Sequence, residues 1–511
     1  MLAKVLSSAT LGIDAYPVEV EVDISRGLPA FSTVGLPDNA VKESKDRVKS
    51  AIKNSGYTFP VRRITVNLAP ADIKKEGTAF DLPVAVGILM ATGVVKSEDL
   101  SDYLLVGELS LDGRLRPVRG ALSVALCARS RGKKLILPLE NAKEAALVEG
   151  EGAEVYGVES LSGLVEFLNG ATEIEPTTGS FADYFTGDHT GLLDMTDVRG
   201  QAHVKRALTV GAAGGHNMVM IGPPGSGKTM ISKRLPTILP DLTLEEALET
   251  TKIHSVSGTL PEGSPVITNR PFRAPHHTIS DIGLIGGGAH PRPGEVSLAH
   301  NGVLFLDEMP EFGKSTLEVL RQPLEDGRVS IVRAAMSITY PASFMLVGAM
   351  NPCPCGFLGD PKKECICTPA LIEKYRGRIS GPLLDRIDIH IEVPAVRFRE
   401  LSGKSTGEKS GAVKERVDRA RRIQGERFKG RAKIFSNSSM TSRDIKTFCT
   451  VDGECERLLE AAVEKLGISA RAYTRILKVA RTIADLEGEP DIKPPHISEA
   501  IQYRTLDRPV F

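Results

Sequence analysis

The chain has 511 residues, too many for one hydrophobic core, so about two to four domains are expected. Its 41% apolar and 25% charged residues exclude a disordered or low-complexity protein. Lys plus Arg and Asp plus Glu stand at 64 each, which excludes a whole-chain basic field; any nucleic-acid contact must come from a local patch or a pore lining.

The first residues, MLAKVLSSATLGIDAYPVEVEV, lack the apolar centre of a signal peptide. The longest apolar run, Leu82 to Val95, has 14 residues and contains Pro83, Gly87 and Gly93. That is too short to span a bilayer and predicts a buried core element. A cytoplasmic protein without membrane contact is expected, with its seven cysteines reduced unless they bind metal.

Residues 1–168 alternate strand-like runs (Val18 to Val22; Arg63 to Leu68) with helical stretches such as Asp38 to Asn54, an α/β or α+β pattern. Residues 169–190 are rich in Gly, Thr and Pro without periodicity and read as a linker. Residues 191–395 alternate strands and helices again, and 401–412 form a second loop. The remainder, within a 396–511 region, reads as helical. From Tyr473, apolar residues recur at Ile476, Leu477, Ala480, Ile483 and Ala484, a helix face; Arg471, Arg475 and Lys478 fall on the opposite stripe.

Val219 to Ile221 reads as a buried strand running into Gly222, Pro223, Pro224, Gly225, Ser226, Gly227, Lys228 and Thr229, then a helix. This is the P-loop pattern in its strand–loop–helix setting. Glycines let backbone N–H groups cradle phosphate oxygens; Lys228 reaches the β- and γ-phosphates of ATP, and Thr229 offers its hydroxyl to Mg2+. A chance glycine-rich loop would not carry every fixed position. A second apolar strand, Gly302 to Leu306, ends in Asp307 and Glu308. It is expected beside the first, with Asp307 in the magnesium shell and Glu308 orienting or deprotonating the attacking water. A third strand, Phe344 to Met350, ends at Asn351, whose amide suits a lytic water; Arg386 follows in the run Leu383 to Asp388. A lone arginine is usually a surface residue, but in this ordered series it predicts a role in a neighbouring subunit's site, hence an oligomer.

The chain resembles the magnesium-chelatase-like AAA+ ATPases of the ComM/YifB group nearly end to end. The resemblance rests on DVRGQAHVKRAL, GPPGSGKT, RPFRAPHHTIS, GEVSLAHNGVLFLDE, AMNPCPCG, GPLLDRID and SARAYTRILKVARTIADL. It implies a P-loop AAA+ core with a helical lid. Lys228 and Thr229 look like Walker A, Asp307 and Glu308 like Walker B, Asn351 like sensor 1 and Arg386 like an arginine finger. Arg471 resembles the sensor 2 arginine, with Arg475 the weaker candidate. Arg273 to Ser297 resembles a helix-2 insert, and Val329 to Tyr340 a presensor-1 hairpin with Arg333 near its tip, a candidate DNA contact. The family implies a hexameric DNA branch-migration motor in homologous recombination and natural transformation. A magnesium-chelatase-type ATPase subunit or a protein-remodelling ATPase are the alternatives.

The first 168 residues resemble a Lon-protease domain through Lys75 to Ala79 and Gly107 to Val118. The Ser and Lys positions of the Lon dyad fall on Ala79 and Leu122, so no protease is expected. A DNA-binding or ring-forming role follows by analogy alone.

Cys353, Cys355, Cys365 and Cys367 form C-x-C, nine intervening residues, then C-x-C. Four thiolates can complete a tetrahedral structural zinc site; four reduced surface thiols are the alternative. Residues 414–433 hold nine Lys or Arg against three acids, which suits either a phosphate-tracking helix or a solvated helix face. Lys42, Lys45, Arg47 and Lys49 are a weaker basic group. His276 and His277 lack further ligands at useful spacing and read as structural or pore-loop residues.

Overall fold

The computed structural model describes the chain except residues 76, 98, 149–153, 185–192, 262, 289–290, 334–335, 361–362, 396–406, 432–435, 467, 505 and 507–511. The described residues form two compact units. The first is Met1–Gly187 with Leu244–Thr268; the second is Asp188–Thr243 with Asn269–Phe511. Part of the expected linker, of the 401–412 loop and of the basic run lies outside the described residues.

The first unit is built on strands β1 (Leu2–Leu11), β2 (Asp14–Ser25), β3 (Ala30–Val34), β4 (Arg63–Ala69) and β5 (Tyr103–Leu105), a small hairpin β6 (Glu108–Leu109) and β7 (Leu115–Arg116), then β8 (Lys134–Pro138) and β9 (Val155–Val158). Seven of these form one sheet in the order β3-β4-β2-β1-β5-β8-β9. The sheet is mixed: β1 and β4 run antiparallel to β2, while the remaining pairs are parallel. Along β2, Val18, Val20, Val22 and Ile24 are buried and Glu19, Glu21 and Asp23 point the other way, the period-2 signature of a sheet with one covered face. The helix Asp81–Ala91 covers that face and is buried at every position but Met90. It is the long apolar run of the sequence, used as a core helix.

Leu244–Thr268 was expected in the nucleotide core and instead folds as part of the first unit. Its helix, Leu244–Ser257, buries Ala247, Thr250, Thr251, Ile253, His254 and Ser255. Lys252 pairs with Asp14, the Ser255 carbonyl accepts from Gly120 N–H, and the Ser255 hydroxyl donates to the buried Glu144 carboxylate. Glu144 also accepts the Leu122 N–H at 2.9 Å, and burial pushes its carboxyl up.

The second unit holds β10 (Met218–Ile221), β11 (Phe272–Arg273), β12 (Gly286–Gly287), β13 (Arg292–Pro293), β14 (Val303–Leu306), β15 (Arg328–Arg333), β16 (Met336–Pro341), β17 (Met345–Met350) and β18 (Ile389–Glu392). Five of them make an all-parallel sheet, β11-β14-β17-β10-β18. Every residue of β10, β14 and β17 is buried, as a parallel sheet covered on both faces requires. The strand carrying Asp307 was expected beside β10; the structure corrects this, because β17 lies between them. Local apolar runs specify strands, whereas their order is set by the crossover connections, which no single run encodes.

Helices close this unit behind the sheet. Ala470–Glu487 buries Ile476, Leu477, Ala480, Ile483 and Ala484, the stripe read from the sequence. The opposite stripe is not simply solvated: Arg475 pairs with buried Asp388, and Lys478 donates to the Ser438 carbonyl at 2.7 Å.

Candidate functional site

The site forms at the carboxyl ends of β10, β14 and β17. Gly225 and Gly227 take φ values of 75° and 91°, conformations that side-chain-bearing residues adopt only with strain. A Cβ on Gly222 would lie 2.1 Å from the Val393 carbonyl oxygen, so only glycine lets the loop pass there. The loop leads into the helix Lys228–Ser232. Lys228 Nζ is 2.7 Å from the Gly222 carbonyl oxygen, 3.0 Å from that of Pro223 and 3.2 Å from Asn351 Oδ1. Burial lowers the Lys228 pKa, against the pull of Asp307 and Glu308. The Ser226 hydroxyl is buried and has no partner among the described residues, a polar group left over for a ligand. These features fit a triphosphate: backbone N–H groups, a helix start and a desolvated ammonium converge on one cradle.

Asp307 lies just past β14, and its Oδ2 accepts the Thr229 hydroxyl at 2.6 Å. The hydroxyl and carboxylate are the hard oxygen donors that suit Mg2+. Glu308 follows in the left-handed region at φ 50°, ψ 44°, a conformation costing a non-glycine residue about 1–3 kcal/mol. Asn351 extends from β17, whose place beside β10 brings the amide to Lys228.

Two further residues adjoin this site: Gln201, which sequence reasoning passed over, and His277, which it read as a structural or pore-loop residue. Gln201, itself left-handed at φ 51°, donates from Nε2 to the Ser226 and Pro394 carbonyls, both at 3.0 Å, and so ties down the P-loop. His277 places Nδ1 3.6 Å from Glu308 Oε2. Gln201 stands in the DVRGQ motif, but no spacing rule points a lone amide at the loop; His277 lacked the spacing of a metal ligand.

The three candidate arginines stand differently. Arg386 is only 5% exposed and is paired with Glu325 of its own chain, with Nη1 on the Pro382 carbonyl. The Arg471 side chain is 65% exposed, 3.9 Å from Asp385. Arg475 is committed to Asp388, which also receives His216 Nδ1 at 3.1 Å. Burial raises the Asp388 carboxyl, but Arg475 and His216 outweigh it and hold it well below the usual carboxylate range. Of the two sensor 2 candidates, Arg471 is the one whose side chain is largely exposed.

Beyond Asn351, the Sγ atoms of Cys353, Cys355, Cys365 and Cys367 lie within 4.8 Å of one another. Cys353 is 3.4 Å from Cys355 and 3.6 Å from Cys365, and Cys355 is 3.6 Å from Cys365. Four sulfurs about 2.3 Å from a central zinc stand about 3.8 Å apart, so the cluster fits the ion with little movement. The N–H of Phe357 leads the interactions that hold the Cys355 thiol down to about 6. The cluster abuts the nucleotide loop: a Cβ on Gly356 would meet Pro224 Cδ at 2.5 Å.

The hairpin β15–β16 runs in register from Arg328↔Pro341 to Arg333↔Met336. Val329, Ile331, Ile338 and Tyr340 are buried, while Val332 is 73% exposed and Arg333 is exposed too. The next two residues at the tip lie outside the described ones. The insert adjoins this hairpin: a Cβ on Gly286 would lie 3.2 Å from Ile331, and one on Gly287 3.6 Å from Arg333 Nη2. The basic run behaves otherwise. Within it Lys414 pairs with Asp241, Arg416 with Glu408, Arg427 with Asp485 and Arg431 with Asp444, leaving Arg419 and Arg422 among its exposed bases. In the first unit Arg47 is likewise spent on buried Asp81.

Residues 194–401 match the family described as Magnesium chelatase, subunit ChlI; residues 20–141 match Subunit ChlI of Mg-chelatase, and 407–504 match Magnesium chelatase, subunit ChlI C-terminal. Competence protein ComM of Haemophilus influenzae is 46% identical over 518 residues, covering 99% of this chain and 98% of that protein. The chain belongs to the magnesium-chelatase-like ComM/YifB family. The protein YifB of Escherichia coli is also 46% identical, over 99% of this chain and 98% of its own length. The chloroplastic magnesium-chelatase subunit ChlI of Nicotiana tabacum is 24% identical over 41% of this chain. The second unit of this family member is thus an AAA+-type ATPase core. Among the described residues, no helix is long and apolar enough to cross a membrane.

Proposed function

We propose that this ComM/YifB-family ATPase is a hexameric DNA motor that drives branch migration during homologous recombination and natural transformation. The observation that supports the ATPase part of the reading is the meeting of Lys228, Thr229, Asp307 and Asn351 at one edge of the parallel sheet. ATP would enter with its phosphates on the P-loop, and Lys228 would exchange its Gly222 and Pro223 carbonyls for phosphate oxygens. Thr229 and Asp307 would hold Mg2+, which supplies charge neutralisation on the phosphates. Glu308 orients the attacking water and takes its proton, and Asn351, released from Lys228, positions that water. Arg386 leaves Glu325 to act in the neighbouring subunit's site, and Arg471 contributes from the lid. Cys353, Cys355, Cys365 and Cys367 hold a structural zinc ion that stiffens the loop behind Asn351.

The DNA reading draws on the name of the Haemophilus influenzae relative and on the exposed hairpin face with Arg333. The Lon-like first unit carries no peptidase dyad, since Leu122 is a fully buried aliphatic side chain and Ala79 offers no nucleophile; a role in assembly or DNA binding is assigned to it by analogy. The family matches also favour a second reading, an ATPase subunit for metal insertion into a tetrapyrrole. The deciding assay is ATP-dependent branch migration of a three-stranded DNA junction. Strand exchange by the wild type and none by Lys228→Ala or Glu308→Gln is the expected result. ATPase activity indifferent to DNA, with no exchange, would overturn the DNA reading and favour the second one.

A further inference from the structure

The helix Asn39–Asn54 of the first unit is the crossover between the parallel neighbours β3 and β4. It buries Val41, Ser44, Val48, Ala51 and Ile52, and Asp38 caps its start by accepting the Val41 N–H at 2.8 Å. Arg47 pairs with buried Asp81 and pins the helix in place. On the outer side Lys42, Lys45, Lys49 and Lys53 follow one another at spacings of three, four and four residues, and all four are exposed. Such spacings put them in one stripe, about 16 Å long. A crossover helix returns to the end of the sheet where its second strand starts, which here is Arg63. The register sets Ser25 and Ala30 beside Arg63, so Arg26, Arg62 and Arg63 gather at that end, all exposed. Among the described residues, none of these seven bases is in an ion pair; the exposed acids of the helix are Glu43 and Asp46. The second unit differs, since Lys414, Arg416, Arg427 and Arg431 each have a counter-ion. The acids of β2, Glu19, Glu21 and Asp23, point away from the core that the helix covers.

We infer that the lysine stripe and the three arginines form a second nucleic-acid surface, on which the first unit holds the sugar–phosphate backbone of a DNA duplex. The inference rests on the DNA reading above. Unpaired cations in a line match a polyanion, and over about 16 Å one DNA strand presents roughly five phosphates. The helix has no aromatic side chain on which an unpaired base could stack, which favours a duplex over a single strand. Nor does it expose a large apolar side chain, as a helix seated on a membrane would. Lys and Arg on phosphates carry no base preference, so the surface holds any sequence. Leu28 and Val61 stand exposed near the arginines, which makes an anionic membrane the competing occupant.

The test uses the full-length protein and a fluorescein-labelled DNA duplex, with the Kd read by anisotropy at several salt concentrations. One variant combines Lys42→Gln, Lys45→Gln, Lys49→Gln and Lys53→Gln. A second combines Arg26→Gln, Arg62→Gln and Arg63→Gln, and carries the test if the first fails to fold. A third replaces the same four lysines by Arg. Each base that meets a phosphate contributes about 0.9 to the slope of log affinity against log salt. The lysine-to-glutamine variant is expected to lose about two or more from that slope and at least about tenfold in affinity at low salt, equally on two duplexes of unrelated sequence. The arginine-to-glutamine variant should shift the same way, while the lysine-to-arginine variant keeps the wild-type slope, which a loss of structure would not allow. Adding Arg333→Ala should weaken binding further, since it belongs to a separate surface. Wild-type slopes in both glutamine variants overturn the inference and leave the DNA reading standing. Unaltered duplex binding with lost binding to phosphatidylglycerol vesicles overturns it in favour of a membrane. A wild type that binds no duplex removes the DNA reading itself, and the inference with it.

Discussion

Replacing Arg475 by Met should unfold the second unit more readily while the same change at Arg471 should not. Asp388 is 2% exposed, and among the described residues its side chain pairs with Arg475 and His216. Removing one partner of a buried pair leaves the other charge uncompensated and costs about 3–5 kcal/mol. For a unit of this size each kcal/mol moves the midpoint about 2 °C, so thermal unfolding should fall by roughly 6–10 °C. Arg471, 65% exposed, should shift stability by no more than about 0.5 kcal/mol and instead reduce ATP turnover. The sign of the pH dependence separates the cases further. In the wild type the Asp388 pKa is depressed, so its contribution is present above the unfolded carboxylate pKa and is lost only as pH falls towards the lower folded value. Without Arg475, burial dominates and raises that pKa, so acid relieves the unpaired charge. The gap between Arg475→Met and wild type should therefore narrow as pH falls from 7 towards 4. Equal midpoints at pH 7, or a gap that widens in acid, would refute this account of Asp388.

The cysteine cluster should bind about one zinc ion per chain, measured by metal analysis after dialysis; Cys365→Ser should lose it and melt lower, and full metal-free stability in that variant would count against a structural zinc. Arg386→Ala should cut turnover by about 10³-fold or more with ATP binding intact. Mixing it with Lys228→Ala should recover part of the activity if Arg386 serves a neighbour's site; no recovery at any ratio would place its role within its own chain.

Much of the second unit was legible because its chemistry is local. The P-loop is a contiguous strand, glycine turn and helix start, and Asp307 and Asn351 each end an apolar run. Strand order was not legible, because the placement of β17 between β10 and β14 depends on how three separate segments cross over. The apolar face of Ala470–Glu487 was read correctly by periodicity, yet its basic stripe was not free: Asp388 and the Ser438 carbonyl, far off in sequence, claim Arg475 and Lys478. The basic run is claimed in part in the same way, since the counter-ions of Lys414, Arg416, Arg427 and Arg431 (Asp241, Glu408, Asp485 and Asp444) lie outside it in the chain. His277 was seen and set aside because sequence spacing tests for metal ligands, not for a single carboxylate brought in by a neighbouring strand.

The excursion of Leu244–Thr268 has a practical corollary. The polypeptide passes between the units at 187/188, 243/244 and 268/269, so neither is a contiguous module. A fragment begun at residue 191 would carry a stray helix stripped of the surface that covers Ala247 and Ile253, an invitation to aggregate. Cleavage within 169–190 would leave the amino-terminal fragment held only by noncovalent packing on residues 244–268, which stay joined to the second unit at both ends. A module swap in this protein would have to transplant the excursion along with the amino-terminal residues.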